Sequence, residues 1–167
     1  PGRTSNATSL SATTASKCGA SRAAATGSSK VPGTRRTVGS LMPASFAVDN
    51  HGGARAMVRH LVDRGHRAIA FVAGPESNFE AQERLRGYRS ALAEWLPGVA
   101  ECVLQGDFTQ ESGYRAGSQV VALTERPTAV FASNDMMAIG CLAALNEAAL
   151  RVPTDIALAG FDDIPIS

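Results

Sequence analysis

The sequence predicts an α/β protein, a parallel sheet with helices on both faces, preceded by a disordered N-terminal segment. Two observations predict this class. From residue 47 onward, short apolar runs of strand length alternate with longer stretches of helix length, which is typical of a parallel sheet covered on both faces. Before residue 47, the chain consists mostly of Ser, Thr, Ala and Gly, a composition that favours disorder.

The N-terminal segment, residues 1–46, is of low complexity. Residues 1–45 contain no aromatic and no acidic residue and show neither a helix nor a strand period. Such a segment cannot bury enough apolar surface to offset the entropy lost on ordering. We therefore predict that it is disordered, as a linker or as the product of a misread or engineered reading frame. Six Lys and Arg residues lie scattered over residues 1–48, which is weak evidence for contact with nucleic acid or a membrane surface.

Four helix–strand pairs follow in the order αβαβαβαβ. The apolar residues of the first helix recur with i, i+3, i+4, i+7 spacing, and Gly65 suits its C-cap. Thr109 is a suitable N-cap for the third helix. The connections of such a sheet are expected to be right-handed. The predicted helices cover residues 53–65, 81–96, 110–123 and 135–150, and the predicted strands cover residues 68–74, 101–106, 128–133 and 155–161.

Polar residues follow the end of each predicted strand. The segments are Gly-Pro-Glu-Ser-Asn at 74–78, Gly-Asp-Phe-Thr at 106–109, Ser-Asn-Asp at 133–135 and Phe-Asp-Asp at 161–163. Ligands of parallel sheets bind beyond the carboxyl ends of the strands, and amides, carboxylates and an aromatic ring are the mixture that a sugar requires. At the third junction we expect Asp135 to cap the following helix, which leaves Asn134 available to a ligand.

The motifs of common enzyme classes are missing. The sequence has no dinucleotide fingerprint, no phosphate-binding P-loop and no hydrolase elbow, so we predict neither an enzyme nor a cofactor. His51 and His60 stand nine residues apart and the three cysteines are widely spaced, so we expect no metal site and no disulfide framework. Asp162 and Asp163 are neighbours on a strand, whose side chains point to opposite faces, so they do not form an acid–base pair.

Charge and hydropathy limit the cellular location and the binding partners that the sequence allows. Residues 49–167 contain ten Arg, no Lys and fifteen acidic residues, a balance near −5, whereas a nucleic-acid-binding domain presents a basic face. No apolar run is long enough to span a membrane, and the N-terminus has no secretory signal pattern. These features predict a cytoplasmic protein.

Several motifs together carry a family resemblance. They are "VDNHGGARAMVRHLVDRGHRAIAFVAGP", "RLRGYRSAL", "GDFTQESGYRAG", "RPTAVFASNDMMAIGCLAAL" and "RVPTDIALAGFDDIP". In order and spacing they closely resemble the effector-binding domain of LacI/GalR-family transcription regulators, from about Val48 to Pro165. That domain is periplasmic-binding-protein-like, with two lobes around a cleft, and the match is to its C-terminal lobe. The resemblance therefore implies that residues 47–167 form an effector-binding lobe.

The resemblance also implies a function. Regulators of this kind are homodimers that bind operator DNA through a headpiece, and a sugar or sugar derivative changes their DNA affinity. Residues 1–45 resemble neither the headpiece nor the N-terminal lobe, so we expect a truncated or partly out-of-frame member. Two alternatives remain open: a sugar-binding solute receptor of the periplasmic type, and a non-functional gene fragment.

Four residues match the family's effector contacts. Arg84 resembles the arginine that reaches ligand hydroxyls or a carboxylate, Phe108 the aromatic ring that stacks on the effector, and Asn134 the amide of sugar-binding members. Asp162 resembles the carboxylate that accepts sugar hydroxyls. The alternatives are a surface arginine for Arg84, an ordinary core position for Phe108 and a turn cap for Asp162.

Two further features concern the last helix. Family members usually carry Gly where Ala149 stands, so a left-handed helix end there would strain this chain. Between Met136 and Leu150 almost every residue is apolar. A helix that covers a sheet needs only an apolar stripe, so this helix is expected to have a second buried contact, which the resemblance suggests is a partner subunit.

Overall fold

The computed structural model describes residues 48–162, so the predicted disordered segment 1–46 and residues 163–167 lie outside the described part. All eight predicted elements are present in the predicted order. The helices are α1 (Asn50–Asp63), α2 (Phe79–Trp95), α3 (Gln110–Ala122) and α4 (Asp135–Glu147), and the strands are β1 (Ile69–Ala73), β2 (Cys102–Gln105), β3 (Ala129–Ala132) and β4 (Ala157–Ala159).

The four strands form one parallel sheet in the order β2-β1-β3-β4. Phe71 at the centre of β1 pairs with Val103 on one side and with Phe131 on the other, and Phe131 pairs in turn with Ala159 of β4. Because all strands run in the same direction, their carboxyl ends meet at one edge of the sheet. The predicted α/β class is confirmed.

Each face of the sheet is covered by two helices. Helices α1 and α2 form one core with Phe71 and Phe131, while α3 and α4 form the other with Val72 and Val130. In the first core Tyr88 stacks on Phe71 at 5.0 Å between ring centroids, and its hydroxyl donates a 2.8 Å hydrogen bond to the Ile69 carbonyl. The phenol is therefore buried without losing its hydrogen bond.

Glycines allow α3 and α4 to pack backbone against backbone. A Cβ atom on Gly140 would overlap the Gln110 carbonyl, and one on Gly113 would overlap the backbone of Met137. The second buried contact expected for α4 is therefore α3. Two large apolar side chains of α4 nevertheless stay accessible, Met136 at 39% and Leu142 at 36% of their surface.

Helices α1 and α4 end in the same hydrogen-bonded motif. After α1, Gly65 donates to the Val62 carbonyl at 2.9 Å and His66 to the Leu61 carbonyl at 3.0 Å. After α4, the corresponding bonds, both 2.9 Å, run from Ala149 to Asn146 and from Leu150 to Leu145. This pair of bonds needs a left-handed residue just past the helix, and α4 therefore ends at Glu147, three residues before the predicted end.

The left-handed residue is Gly65 with φ 96° in the first case and Ala149 with φ 58° in the second. Replacing Ala149 with Gly is expected to stabilise the domain by about 0.5 to 1 kcal/mol, because relief of left-handed strain exceeds the added freedom of the unfolded chain. Gly65→Ala is the reciprocal control and is expected to destabilise it by about 1 kcal/mol, since nothing lies near the added methyl group. Urea unfolding measures both values. Destabilisation by both changes would contradict the strain at Ala149.

Candidate functional site

The four helices all begin at the carboxyl edge of the sheet, and a side chain of this chain caps each of them. The capping oxygen accepts a hydrogen bond from a backbone N–H in the first turn, which satisfies a donor that the helix itself leaves open. The pairs are Asp49 with Gly52 at 2.7 Å, Asn78 with Ala81 at 2.9 Å, Thr109 with Ser112 at 3.1 Å and Asn134 with Met137 at 2.9 Å.

The expectation that Asp135 caps α4 is wrong, because the cap is Asn134. The Asn134 side chain also donates from Nδ2 to the Phe108 carbonyl at 3.1 Å. Both ends of the amide are thus engaged, and one N–H and one lone pair remain for another partner. The Asp135 carboxylate lies against Gly160, where any Cβ atom would overlap it.

Arg84 is buried at the same edge, with only 5% of its surface exposed. Its Nε donates to Asn50 Oδ1 at 2.7 Å, and its Nη1 donates to the Ser133 carbonyl. Its Nη2 lies 3.2 Å from Asp162 Oδ1. The guanidinium therefore connects the start of α1 and the ends of β3 and β4 to its own helix α2, so it is not the surface arginine of the alternative interpretation.

Two further residues surround this guanidinium. Its central carbon lies 4.1 Å above the centroid of the Phe161 ring, a cation–π contact. Glu80 Oε2, one helical turn before Arg84, lies 3.7 Å from Nη2. Since Asp162 and Glu80 are 42% and 59% exposed at their side chains, both carboxylates still reach solvent.

Phe108 and Asp162 both have positive backbone φ angles, 71° and 90°. Such angles in residues with a Cβ atom are strained and cluster at functional sites. The Phe108 ring is half-buried and packs closely over Gly74, where a Cβ atom would meet it. The absent side chain at Gly74 therefore leaves room for the ring at the edge of the sheet.

Asp107 adds a fixed negative charge beside Phe108. Hydrogen bonds from the Thr109 hydroxyl and backbone N–H, together with Arg115 Nη2 at 3.5 Å, lower the pKa of Asp107 to about 2. This carboxylate is therefore ionised at any physiological pH.

All four predicted site residues lie at the carboxyl edge. The contacts join them as two pairs, Arg84 with Asp162 and Asn134 with Phe108. Asn50, Glu80 and Phe161 also belong to this edge and were not among the four predicted site residues. The four-residue spacing of Glu80 and Arg84 is the spacing of a helical ion pair and could have identified Glu80.

Within residues 48–162, no three His, Cys, Asp or Glu side chains stand together as they would around a metal ion. None of the four helices is both long enough and apolar enough to cross a membrane.

The chain is thus an α/β domain whose polar side chains gather at the carboxyl edge of a parallel sheet, which is where ligands of such sheets bind. A family model described as a periplasmic binding protein-like domain matches residues 58–167, so the chain belongs to that family. The resemblance to a LacI/GalR effector-binding domain is confirmed by a relative similar in sequence and by two solved structures of similar fold.

One relative is the HTH-type transcriptional repressor PurR of Escherichia fergusonii, 48% identical over 107 residues, which are 64% of this chain and 31% of PurR. A LacI-family regulatory protein from Chloroflexus aggregans has a solved structure with a TM-score of 0.68 and 39% identity, covering 71% of this chain and 43% of that one. A LacI-family regulator from Enterococcus faecium, solved with bound ribose, gives a TM-score of 0.64 and 30% identity over 70% and 43% of the two chains. The chain thus spans about a third of the length of the curated relatives it matches.

Proposed function

We propose that this chain supplies one wall of the effector-binding cleft of a sugar-responsive transcriptional repressor. The observation that carries the proposal is the Arg84–Asp162 pair at the carboxyl edge, 3.2 Å apart, with Asp162 on a strained backbone. A carboxylate held in place by a buried guanidinium accepts hydrogen bonds from neighbouring hydroxyls of one sugar. The ribose bound to the Enterococcus faecium relative supports a ligand of this class.

Each candidate residue has a separate part in this binding. Asp162 accepts hydrogen bonds from the sugar hydroxyls, and the buried Arg84 holds Asp162 in position. The ring of Phe108 offers a flat apolar surface to the C–H groups of a sugar ring. Asn134 fixes the Phe108 loop through its 3.1 Å bond and contributes its remaining N–H. The role is binding, with no catalytic step.

In the complete regulator, effector binding changes the affinity for operator DNA by favouring one arrangement of the lobes. The DNA is read by another part of such a protein, because the excess of carboxylates over arginines in residues 49–167 repels phosphates. The compartment of this function is the cytoplasm, where the operator is.

The direct test is a calorimetric titration of the chain with a panel of neutral sugars that includes ribose. A cleft normally buries most of its ligand, so one wall is expected to bind no more tightly than about millimolar. Asp162→Ala is expected to abolish the signal, while Asp63→Ala, at the exposed far end of α1, leaves it unchanged. Equal binding by both variants would contradict the proposed site.

A homodimer is part of the proposal and rests on the exposed stripe of α4. Met136, Ile139 and Leu142 follow each other at three-residue spacing on the side of α4 that neither the sheet nor α3 covers fully. An apolar stripe of this kind is suited to a second copy of the same helix.

Leu142→Glu is expected to convert the dimer into a folded monomer, since it places a charge on the apolar stripe that the partner would bury. Val99→Glu is the matched control, because Val99 is as exposed, at 40%, but lies in the loop between α2 and β2. Sedimentation equilibrium with circular dichroism measures mass and folding together. A monomeric unmutated chain at high concentration would contradict the dimer.

A periplasmic-type solute-binding protein is a second candidate, favoured by the description of the matching family. The two candidates share the ligand site and differ in what precedes it in the gene. Reading the upstream DNA in all three frames separates them: a helix-turn-helix headpiece supports the regulator, and a secretory signal supports the solute receptor.

A further inference from the structure

We infer that the effector is uncharged or positively charged, and that Glu80 is a specificity residue which excludes anionic sugars. This inference rests on the proposed function and narrows its ligand class. It follows from the charges at the carboxyl edge, from the partners of the two arginines there and from the capped helix starts.

The carboxyl edge is strongly acidic. The segments that follow the strands and open the next helices cover residues 74–82, 106–113, 133–138 and 160–162, and none of them contains a Lys or Arg. They contain six carboxylates, which are those of Glu76, Glu80, Asp107, Glu111, Asp135 and Asp162. Water and salt weaken their field only partly inside a cleft. An incoming anion is therefore repelled along its whole approach.

The two arginines that reach this edge are already paired. Arg84 is bound by Asp162 at 3.2 Å and flanked by Glu80 at 3.7 Å. Arg115 lies 3.1 Å from Glu111 and 3.5 Å from Asp107. An anionic ligand would have to displace a carboxylate of the chain to reach either guanidinium. For the buried Arg84, displacement would also leave Asp162 without its partner.

The N-termini of the helices do not provide another binding site for an anion. A free helix N-terminus binds anions through its open N–H groups and its dipole. Here side chains cap all four helices, and those of α2, α3 and α4 carry an acidic residue in the first turn as well: Glu80, Glu111 and Asp135. The positive ends of the helix dipoles are thus compensated within the chain.

Glu80 is placed to act on a ligand. Its side chain is 59% exposed, more than that of Asp162 at 42%, and its ion pair with Arg84 is a loose one of 3.7 Å. A second carboxylate beside Asp162 accepts further hydroxyls or an ammonium group. The same carboxylate repels a phosphate or a uronate carboxylate.

The experiment compares three sugars of one shape that differ in charge: glucose, glucosamine and glucuronate. Uniformly ¹⁵N-labelled chain is titrated up to about 100 mM of each sugar at about pH 6, where the amine is protonated and the uronate ionised. Amide shifts of Thr109, Met137 and Asp162 report binding at the edge. We expect glucosamine to bind at least as tightly as glucose, and glucuronate to bind most weakly.

Glu80→Gln is expected to weaken glucosamine and strengthen glucuronate by about threefold each, as for a partly exposed charge. Glu125→Gln makes the same change in the loop before β3, at the opposite edge, and is expected to alter neither. Binding of glucuronate as tight as that of glucosamine, or equal effects of the two variants, would overturn the inference and leave the sugar site intact. Absence of shifts with all three sugars would overturn the proposed function and the inference together.

Discussion

Replacing Arg84 with Met is expected to destabilise the domain by about 2 to 4 kcal/mol and to remove sugar binding. Met retains most of the apolar volume of the arginine side chain, so the loss of stability measures the contribution of the guanidinium. Without it, the Asn50 side chain and the Ser133 carbonyl each lose a donor at a buried position, and Asp162 loses its ion pair. Leaving buried groups unpaired costs more than an average hydrogen bond contributes.

Arg89→Met is the matched control for Arg84→Met. Arg89 pairs with Glu101 through its Nε at 2.7 Å, but its side chain is 47% exposed. Exposed ion pairs contribute about 1 kcal/mol or less. Urea unfolding gives both stabilities, and the sugar titration gives both affinities. If the two variants lost equal stability, the buried network at Arg84 would not hold the edge together.

Gly140→Ala is expected to destabilise the domain by about 3 kcal/mol or more. In an exposed helix this exchange would stabilise by about 1 kcal/mol, because Ala is the better helix former. Here the added methyl group would overlap the Gln110 carbonyl and crowd the Tyr114 backbone N. Backbone atoms of a packed helix cannot move aside cheaply, so overpacking outweighs helix propensity.

The sign of this change makes the test decisive. Stabilisation by Gly140→Ala would show that α3 and α4 are not in close contact. Gly65→Ala serves as the control, since its cost of about 1 kcal/mol comes from the backbone angle alone. Thermal unfolding of the two variants beside the unmutated chain gives the order directly, with Gly140→Ala expected to unfold first.

Most of the fold could be predicted because strand-length apolar runs and helix-length stretches alternate without interruption. The ends of elements were less predictable. The strand predicted at 155–161 has only three residues, 157–159, because Asp155 closes the preceding turn by accepting from the Arg151 backbone N–H at 2.8 Å. A local hydrogen bond of this kind leaves no periodic signal in the sequence.

The carboxyl-edge site was predictable in location, since all strand ends of a parallel sheet meet there. The role of each residue within the site was not predictable. Asn134 and Asp135 are both good caps. In the folded chain Asn134 caps the helix and also bonds the Phe108 carbonyl, while Asp135 lies against Gly160 after β4. These neighbours are distant in the sequence, so the choice between the two residues was not predictable. The stacking of Phe161 under Arg84 likewise depends on segments far apart in the chain.

The order of the strands has a consequence for folding. The two central strands of the sheet pair Phe71 of β1 with Phe131 of β3. About sixty residues must therefore be synthesised after Phe71 before β3 can pair with β1. Contacts of such long range slow folding, because loop closure precedes any gain from pairing. During synthesis, α1, β1 and α2 therefore exist for a time with the backbone N–H and C=O groups along one edge of β1 unpaired. That interval, rather than the finished domain, is where this chain is most exposed to aggregation.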